Sequence, residues 1–184
     1  MEFVALLRGI NVGGNNLIKM SELKRCFEKL GFSSVRTFIA SGNVLFESAE
    51  VAGPKLTARI EAMLEKTFDY RASIVLRSAK ELRAVVAAAP KGFGSEPAKF
   101  RYDVIFLKAP LTAAVAMKSV RTKEGVDRAF AGKGVVYFSR LVAKATQSQL
   151  SKLVSLPVYK SMTIRNWNTT TKLLALMQSS DGQS

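Results

Sequence analysis

The chain contains no histidine and a single cysteine, Cys26. These two shortages exclude zinc sites built from His and Cys, Ser-His-Asp and Cys-His nucleophiles, and any disulfide within the chain. A lone thiol fits a reducing compartment, and Cys26, beside the apolar stripe of an expected helix, reads as a buried, inert one. No apolar run approaches the roughly 18 residues that a membrane-spanning helix requires. The start, Met1-Glu2-Phe3-Val4-Ala5-Leu6-Leu7-Arg8, has an acidic second residue and only five apolar residues before Arg8, so it is not a signal peptide. A cytoplasmic protein without a membrane segment is expected. Acid is scarce as well: 14 Asp and Glu stand against 28 Lys and Arg, a net charge of +14 and a pI near 10.2.

What remains is an ordinary folding composition. Over 184 residues, 48% are hydrophobic and 23% charged, which leaves no room for extended low complexity. Phe3 to Leu7 reads as a strand, followed by a Gly-rich loop from Gly9 to Lys19. Met20, Leu23, Phe27 and Leu30 recur at helical spacing, with Ser21 as N-cap and Gly31 as stop. Val35 to Ala40 and Asn43 to Glu47 read as strands around a Ser41-Gly42 turn. A helix follows from Pro54, then a strand from Ala72 to Arg77, then a helix opened by a Ser78/Glu81 capping box and ended by Pro90. After a linker-like stretch, Lys91 to Lys99, the order returns. Tyr102 to Leu107 is a strand and Thr112 to Val120 a helix. Val126 to Phe130 and Val135 to Ser139 form a hairpin around Gly132-Lys133-Gly134. A helix over Leu150, Leu153 and Val154, capped by Thr146 or Gln149, precedes a strand from Ser161 to Arg165 and a last helix from Thr169 to Met177.

Each half therefore reads β-α-β-β-α-β plus one helix. The expected fold is α+β: two tandem ferredoxin-like (α/β-plait) subdomains, the first over residues 1–92, the second, strongly basic, over 99–178, with a polar, disordered tail at 179–184. The strands look apolar on both faces, as in Tyr102-Asp103-Val104-Ile105-Phe106-Leu107, so the second face of each sheet needs a cover.

The segments Leu7-Arg8-Gly9-Ile10-Asn11-Val12-Gly13-Gly14, Ser41-Gly42-Asn43-Val44 and Thr163-Ile164-Arg165-Asn166-Trp167-Asn168-Thr169 resemble the bacterial family called domain of unknown function 1697. The resemblance runs from Phe3 to about Met177 and implies a two-part α/β-plait fold. It implies no activity, so function has to come from the residues.

Four features bear on chemistry. The loop from Gly9 to Lys19 is long for a strand-to-helix connection. Gly9, Gly13 and Gly14 allow close backbone approach, Asn11, Asn15 and Asn16 supply amides, and Arg8 and Lys19 flank it with charge, so it reads either as an anion cradle or as a structural Ω-loop. Asn15-Asn16 stand where a Walker loop needs Lys and Ser or Thr, which excludes ATP hydrolysis by that mechanism. The second feature is Arg165-Asn166-Trp167-Asn168-Thr169, where Asn168 or Thr169 can cap the last helix and Arg165 can face an anion at its start. Trp167 reads as a core plug rather than a stacking ring. The third, Ser41-Gly42-Asn43, is a hairpin turn that gains meaning only beside the other two. Within one plait it is expected at the opposite sheet end from the Gly-rich loop.

The fourth feature is charge. Residues 128–180 contain no acid and eight bases: Arg128, Lys133, Arg140, Lys144, Lys152, Lys160, Arg165 and Lys172. A folded surface of that kind attracts polyanions, and nucleic-acid phosphates are the first choice of partner. Lys133-Gly134-Val135-Val136-Tyr137-Phe138 partly imitates an RNA-contacting strand, with Tyr137 offered as a stacking ring, although core aromatics explain it equally. A small phosphorylated or carboxylated ligand at the Gly-rich loop is the rival reading. Glu61 and Glu65 read as a solvated helix face rather than metal ligands, and Asp103, inside an apolar strand, as the partner of a nearby Arg or Lys. No metal and no cofactor is expected, and no reaction is assigned.

Overall fold

A computed structural model describes residues 1–11, 17–39, 42–69 and 71–178. The expectations for Gly13, Gly14, Asn15, Ser41 and the tail at 179–184 fall outside these residues. Two four-stranded antiparallel sheets organise the chain. The first holds β1 (Glu2–Leu7), β2 (Ser33–Phe38), β3 (Asn43–Glu47) and β4 (Ile74–Ser78) in the order β2-β3-β1-β4. Helix α1 (Met20–Lys29) joins β1 to β2, α2 (Pro54–Phe68) joins β3 to β4, and α3 (Ala79–Ala87) follows β4. The second sheet holds β5 (Phe100–Leu107), β6 (Asp127–Gly132), β7 (Val135–Leu141) and β8 (Met162–Asn166) in the order β6-β7-β5-β8. Helix α4 (Ala113–Met117) joins β5 to β6, and α5 (Leu150–Val154), flanked by 3₁₀ turns at Val142–Gln147 and Pro157–Ser161, joins β7 to β8. Helix α6 (Trp167–Gln178) closes the described chain.

The chain divides into two compact units, Met1–Leu82 together with the chain from Leu173, and Arg83–Lys172. The units change within α3 and within α6, whereas boundaries at 92 and 99 follow the Gly-rich connection. Both units are mixed α+β and repeat one element order, as the hydrophobic patterning implied.

In the first unit, alternate residues of the strands build the helix-side core. Phe3, Ala5, Leu7, Val44, Phe46, Ile74 and Leu76 meet Leu23 and Phe27 of α1 and Leu56, Ile60 and Leu64 of α2. Phe46 packs against Phe3, Phe27 and Phe32 at centroid distances of 5.7, 5.4 and 4.5 Å. The other face carries Val4, Leu6 and Leu45, all fully buried. On that face Arg36 bonds Glu2 at 2.6 Å and donates to the Leu176 carbonyl at 3.1 Å, which places the end of α6 beside it. Pro54 opens α2 at its first turn, where a missing N–H costs nothing. The Ser78/Glu81 box caps α3 in both directions: the Ser78 amide donates to Glu81 at 2.8 Å, and the Glu81 amide to the Ser78 hydroxyl at 3.3 Å.

Two expected caps are corrected. Helix α1 starts at Met20 from an extended Lys19 with no side-chain cap, and Ser21 lies inside its first turn. Helix α5 starts after Gln149, again without a side-chain cap from Gln149; Asp127 accepts from the Gln149 amide at 2.9 Å and the Ser148 hydroxyl accepts from the Leu150 amide, so Thr146 has no role there. Cys26 is half-buried rather than buried.

In the second unit the helix-side core is Ile105, Leu107, Val136, Phe138 and Met162 against Ala116 of α4 and Leu150 and Leu153 of α5. The opposite face carries Tyr102, Val104, Phe106, Tyr137, Ser139, Thr163 and Arg165. What covers this face decides which of its residues can reach a ligand.

Candidate functional site

The loop after β1 and the β2–β3 turn meet. Strands β1 and β3 are antiparallel with Leu6 opposite Asn43, so the end of β1 lies beside the start of β3. The Leu7 amide donates to the Gly42 carbonyl at 2.8 Å. Gly42 has φ +80, and a Cβ there would lie 2.6 Å from Ile10 Cδ1 and 2.9 Å from Leu7 Cβ, so only glycine lets the turn close on the loop. The expectation that these segments occupy opposite sheet ends is therefore wrong: antiparallel pairing of neighbours sets the end of one strand beside the start of the other. The start of β4 joins them, with the Arg8 amide bonded to the Ser73 carbonyl at 2.9 Å.

The described part of the loop is tied down from within. Asn11 donates to the Ile18 carbonyl at 2.9 Å and accepts from the Ile18 amide at 2.8 Å, closing residues 11–18 with a two-bond clasp. Gly9 at φ +72 and Asn11 at φ +52 turn the chain for that clasp. Asn43 is fully buried and donates to the Phe38 carbonyl at 2.8 Å, which makes it a hairpin brace. Lys19 stays exposed at the loop exit. Glu61 is no idle surface acid, for its carboxylate accepts the Ile74 amide at 2.8 Å and anchors the start of β4.

The segment entering α6 is also rearranged relative to expectation. The helix starts at Trp167, two residues early, and its cap is Asn166, whose side-chain oxygen accepts the Thr169 amide at 2.7 Å. Asn168 is exposed inside the first turn and Thr169 is buried, so neither caps the helix. Arg165 does not present itself at that helix start. It is 7% exposed, and its guanidinium folds back to the Thr163 hydroxyl at 2.9 Å and the Ile164 carbonyl at 2.8 Å. Burial pushes its pKa down to about 10, with a smaller opposing effect of Tyr159. Arg165 is thus a buried strand residue.

The same sheet face carries an aromatic cover. Phe93, in the stretch read as a linker, stands edge-on to Tyr102 at 4.9 Å, Tyr137 at 5.5 Å and Trp167 at 5.2 Å. Gly94 follows it at φ +88, where a Cβ would collide with the Trp167 ring. The chain therefore lays its own aromatic ring on the face that an RNA-reading strand pair would leave open. Tyr137 is 1% exposed and donates its hydroxyl to the Val85 carbonyl at 2.6 Å, so its expected role as an exposed stacking ring is excluded. Burial raises its pKa. Phe93 went unnoticed because glycines flank it; a lone aromatic inside a Gly-rich connection was the available signal.

The remaining bases of the acid-poor stretch divide by exposure. Arg128, Lys133, Lys144, Lys152, Lys160 and Lys172 are exposed, and Arg140 is half-buried with its guanidinium 3.4 Å from Asp103. Asp103 is the expected paired strand carboxylate. Charge is concentrated in one unit: Arg83–Lys172 holds 16 Lys and Arg against 4 Asp and Glu, a net +12, while the rest of the chain has 12 against 10. Among the described residues no three Cys, Asp or Glu side chains gather as a metal would need, and no helix is long and apolar enough to cross a membrane.

No curated protein matches the chain. Among solved structures, the conserved bacterial protein SP0830 from Streptococcus pneumoniae is similar at 26% identity and a TM-score of 0.84, over 96% of this chain and 98% of that one. The family model described as protein of unknown function (DUF1697) matches residues 1–137, which takes in the Gly-rich loop, the hairpin turn and the second unit as far as Tyr137, but not Thr163 to Thr169. The chain belongs to the DUF1697 family.

Proposed function

We propose that the chain is a cytoplasmic, phosphate-contacting nucleic-acid binder made of two ferredoxin-like plaits. The plait assignment is supported by the β-α-β-β-α-β order of both units and by their shared strand order. One observation carries the binding reading: a folded unit of net +12 that exposes Arg128, Lys133, Lys144, Lys152, Lys160 and Lys172. Such a surface holds a polyanion by releasing its counterions, without reading its sequence. Tyr137 contributes no stacking in this version, and Trp167, packed on Phe93, contributes none either.

The test is titration of a labelled single-stranded oligonucleotide at about 50 and 200 mM salt. If four to six of those cations meet phosphates together, log K falls against log salt with a slope of about −3 to −4. Absence of binding at the lower salt, with protein up to about 100 μM, ends this reading.

A small anionic ligand at the first unit's sheet end is the second reading. It is favoured by the meeting of the Gly9–Lys19 loop with the Gly42 turn. Saturable binding of a small phosphate or carboxylate that Lys19→Glu abolishes and Lys144→Glu leaves intact would select it.

A further inference from the structure

A cavity of about 180 Å³ opens on the far face of the second sheet, lined entirely by residues of the second unit. Register creates it. Arg128 on β6, Ser139 on β7 and Tyr102 on β5 form one row across the sheet, and Phe130, Tyr137 and Val104 form the next. Ser139 is the small member of its row, so the sheet surface is notched at a central strand. Phe93, Phe100, Tyr102 and Phe130 wall the notch.

Three properties of the notch point to a ligand. First, Ser139 is 5% exposed and lines the cavity, so its hydroxyl is the polar group that the sheet offers to an occupant. A hydroxyl can both donate and accept, so it can bond either kind of polar group that enters. Second, Phe130 is 43% exposed and lines the cavity, so part of an aromatic ring is open to an occupant. Third, a cation is oriented in the cavity lining: the Arg128 guanidinium lies 5.9 Å from the centre of the Phe100 ring.

We propose that this cavity binds one nucleotide, a base with the phosphate carried on its sugar. The base lies among the aromatic walls, its edge bonds the Ser139 hydroxyl, and its phosphate meets Arg128. The volume is below the several hundred Å³ of drug-sized pockets, which limits the occupant to one ring system. Aromatic walls accept any base face, and the guanidinium fork matches a phosphate. Glu96, at the rim and 3.8 Å from Lys99, can accept from an exocyclic amine. This goes beyond the electrostatic reading, because it assigns a discrete, saturable site. A free mononucleotide and the phosphorylated end of a strand share the chemistry.

Binding is read on the whole chain by calorimetry and by the fluorescence of Trp167, which touches the Phe93 wall. AMP is the probe, with adenosine and inorganic phosphate as its two halves. One-to-one binding of AMP is expected, at least about tenfold tighter than either half. Arg128→Ala should weaken AMP about tenfold and leave adenosine unchanged. Ser139→Leu, which fills the notch, should abolish both. If that variant misfolds, Phe130→Ala, at an exposed position, should still weaken AMP and adenosine alike. Failure of AMP to saturate by about 1 mM overturns the proposal. So does AMP binding no tighter than phosphate, or unchanged by Arg128→Ala. Preference for a 5′-phosphorylated over a 5′-hydroxyl oligonucleotide identifies a strand end as the source, and preference for AMP over both identifies a free nucleotide; either supports the site. A salt-dependent oligonucleotide response without AMP saturation removes this cavity and leaves the electrostatic reading standing.

Discussion

The two units share a strand order and differ in what they put on the second face of the sheet. In the first unit that face sets fully buried aliphatic side chains, Val4, Leu6 and Leu45, beside a few polar ones, Asn43, Arg77 and the Arg36–Glu2 pair. In the second it carries Tyr102, Tyr137, Ser139, Thr163 and Arg165, with Phe93 edge-on to both tyrosines, and it keeps a cavity. Charge divides the same way, net +12 against net +2. The helix-side cores of both units are conventional apolar layers, so the fold is fixed there. The second face is where the two units differ most. A fold by itself carries no function, so the face on which the two units differ is where the proposed site is sought.

The largest expected effect tests whether that difference is real. Phe46→Ala, in the first unit's core, should cost about 3–5 kcal/mol in urea unfolding. Phe93→Ala should cost less, about 1–3 kcal/mol, since Phe93 is half-buried and acts mainly through its edge contacts. It should also shift the emission of Trp167. Equal losses would mean that the Phe93 layer is core, with no separate role.

A binding measurement sharpens the contrast in charge. Lys144→Glu with Lys152→Glu should weaken oligonucleotide binding about tenfold or more at low salt and flatten the salt slope by about 1.4, the share of two phosphates. Lys55→Glu with Lys66→Glu makes the same change in net charge on exposed sites of α2 in the first unit. It should do much less. Equal effects would show that only the total charge matters and that no surface is specific to the second unit.

Element order was legible in the sequence because apolar runs, turn residues and caps are local signals. Pro54, Gly31 and the Ser78/Glu81 box fell where local chemistry puts them. Long-range pairing was not legible. The meeting of the Gly42 turn with the loop after β1 depends on the β1–β3 register, and the cover on Tyr137 depends on where Phe93 lands. Caps failed where a side chain from elsewhere intervened: Asn11 clasps Ile18 and delivers the chain early into α1, and Asp127 reaches the start of α5 from β6. An exposed cation and a buried one look identical in a charge count, so six of the eight bases in the acid-free stretch reach solvent fully, while Arg140 and Arg165 turn to internal partners.

The smallest effect concerns Asp103, whose position on the helix-side face breaks the apolar pattern that the first unit keeps intact. It is buried 3.4 Å from the Arg140 guanidinium. Burial raises its pKa above the ordinary carboxylate value of 3.8, and the charges of Arg140 and Arg101 pull it back only in part. In the pH interval between the ordinary and the raised value, the folded chain holds a proton that the unfolded chain has lost. The stabilisation from that proton is complete below the ordinary value and disappears as pH rises through the raised one. Asp103→Asn preserves the shape of the side chain and cannot ionise. Its stability relative to the parent should therefore rise as the pH goes from about 3.5 to 7, whatever constant offset the lost ion pair introduces. Paired urea titrations across that range isolate Asp103, since the other carboxylates cancel in the difference. A difference that moves the opposite way, favouring Asp103 as pH rises, would mean that Arg140 fully compensates its burial and that this strand end is an ordinary ion pair.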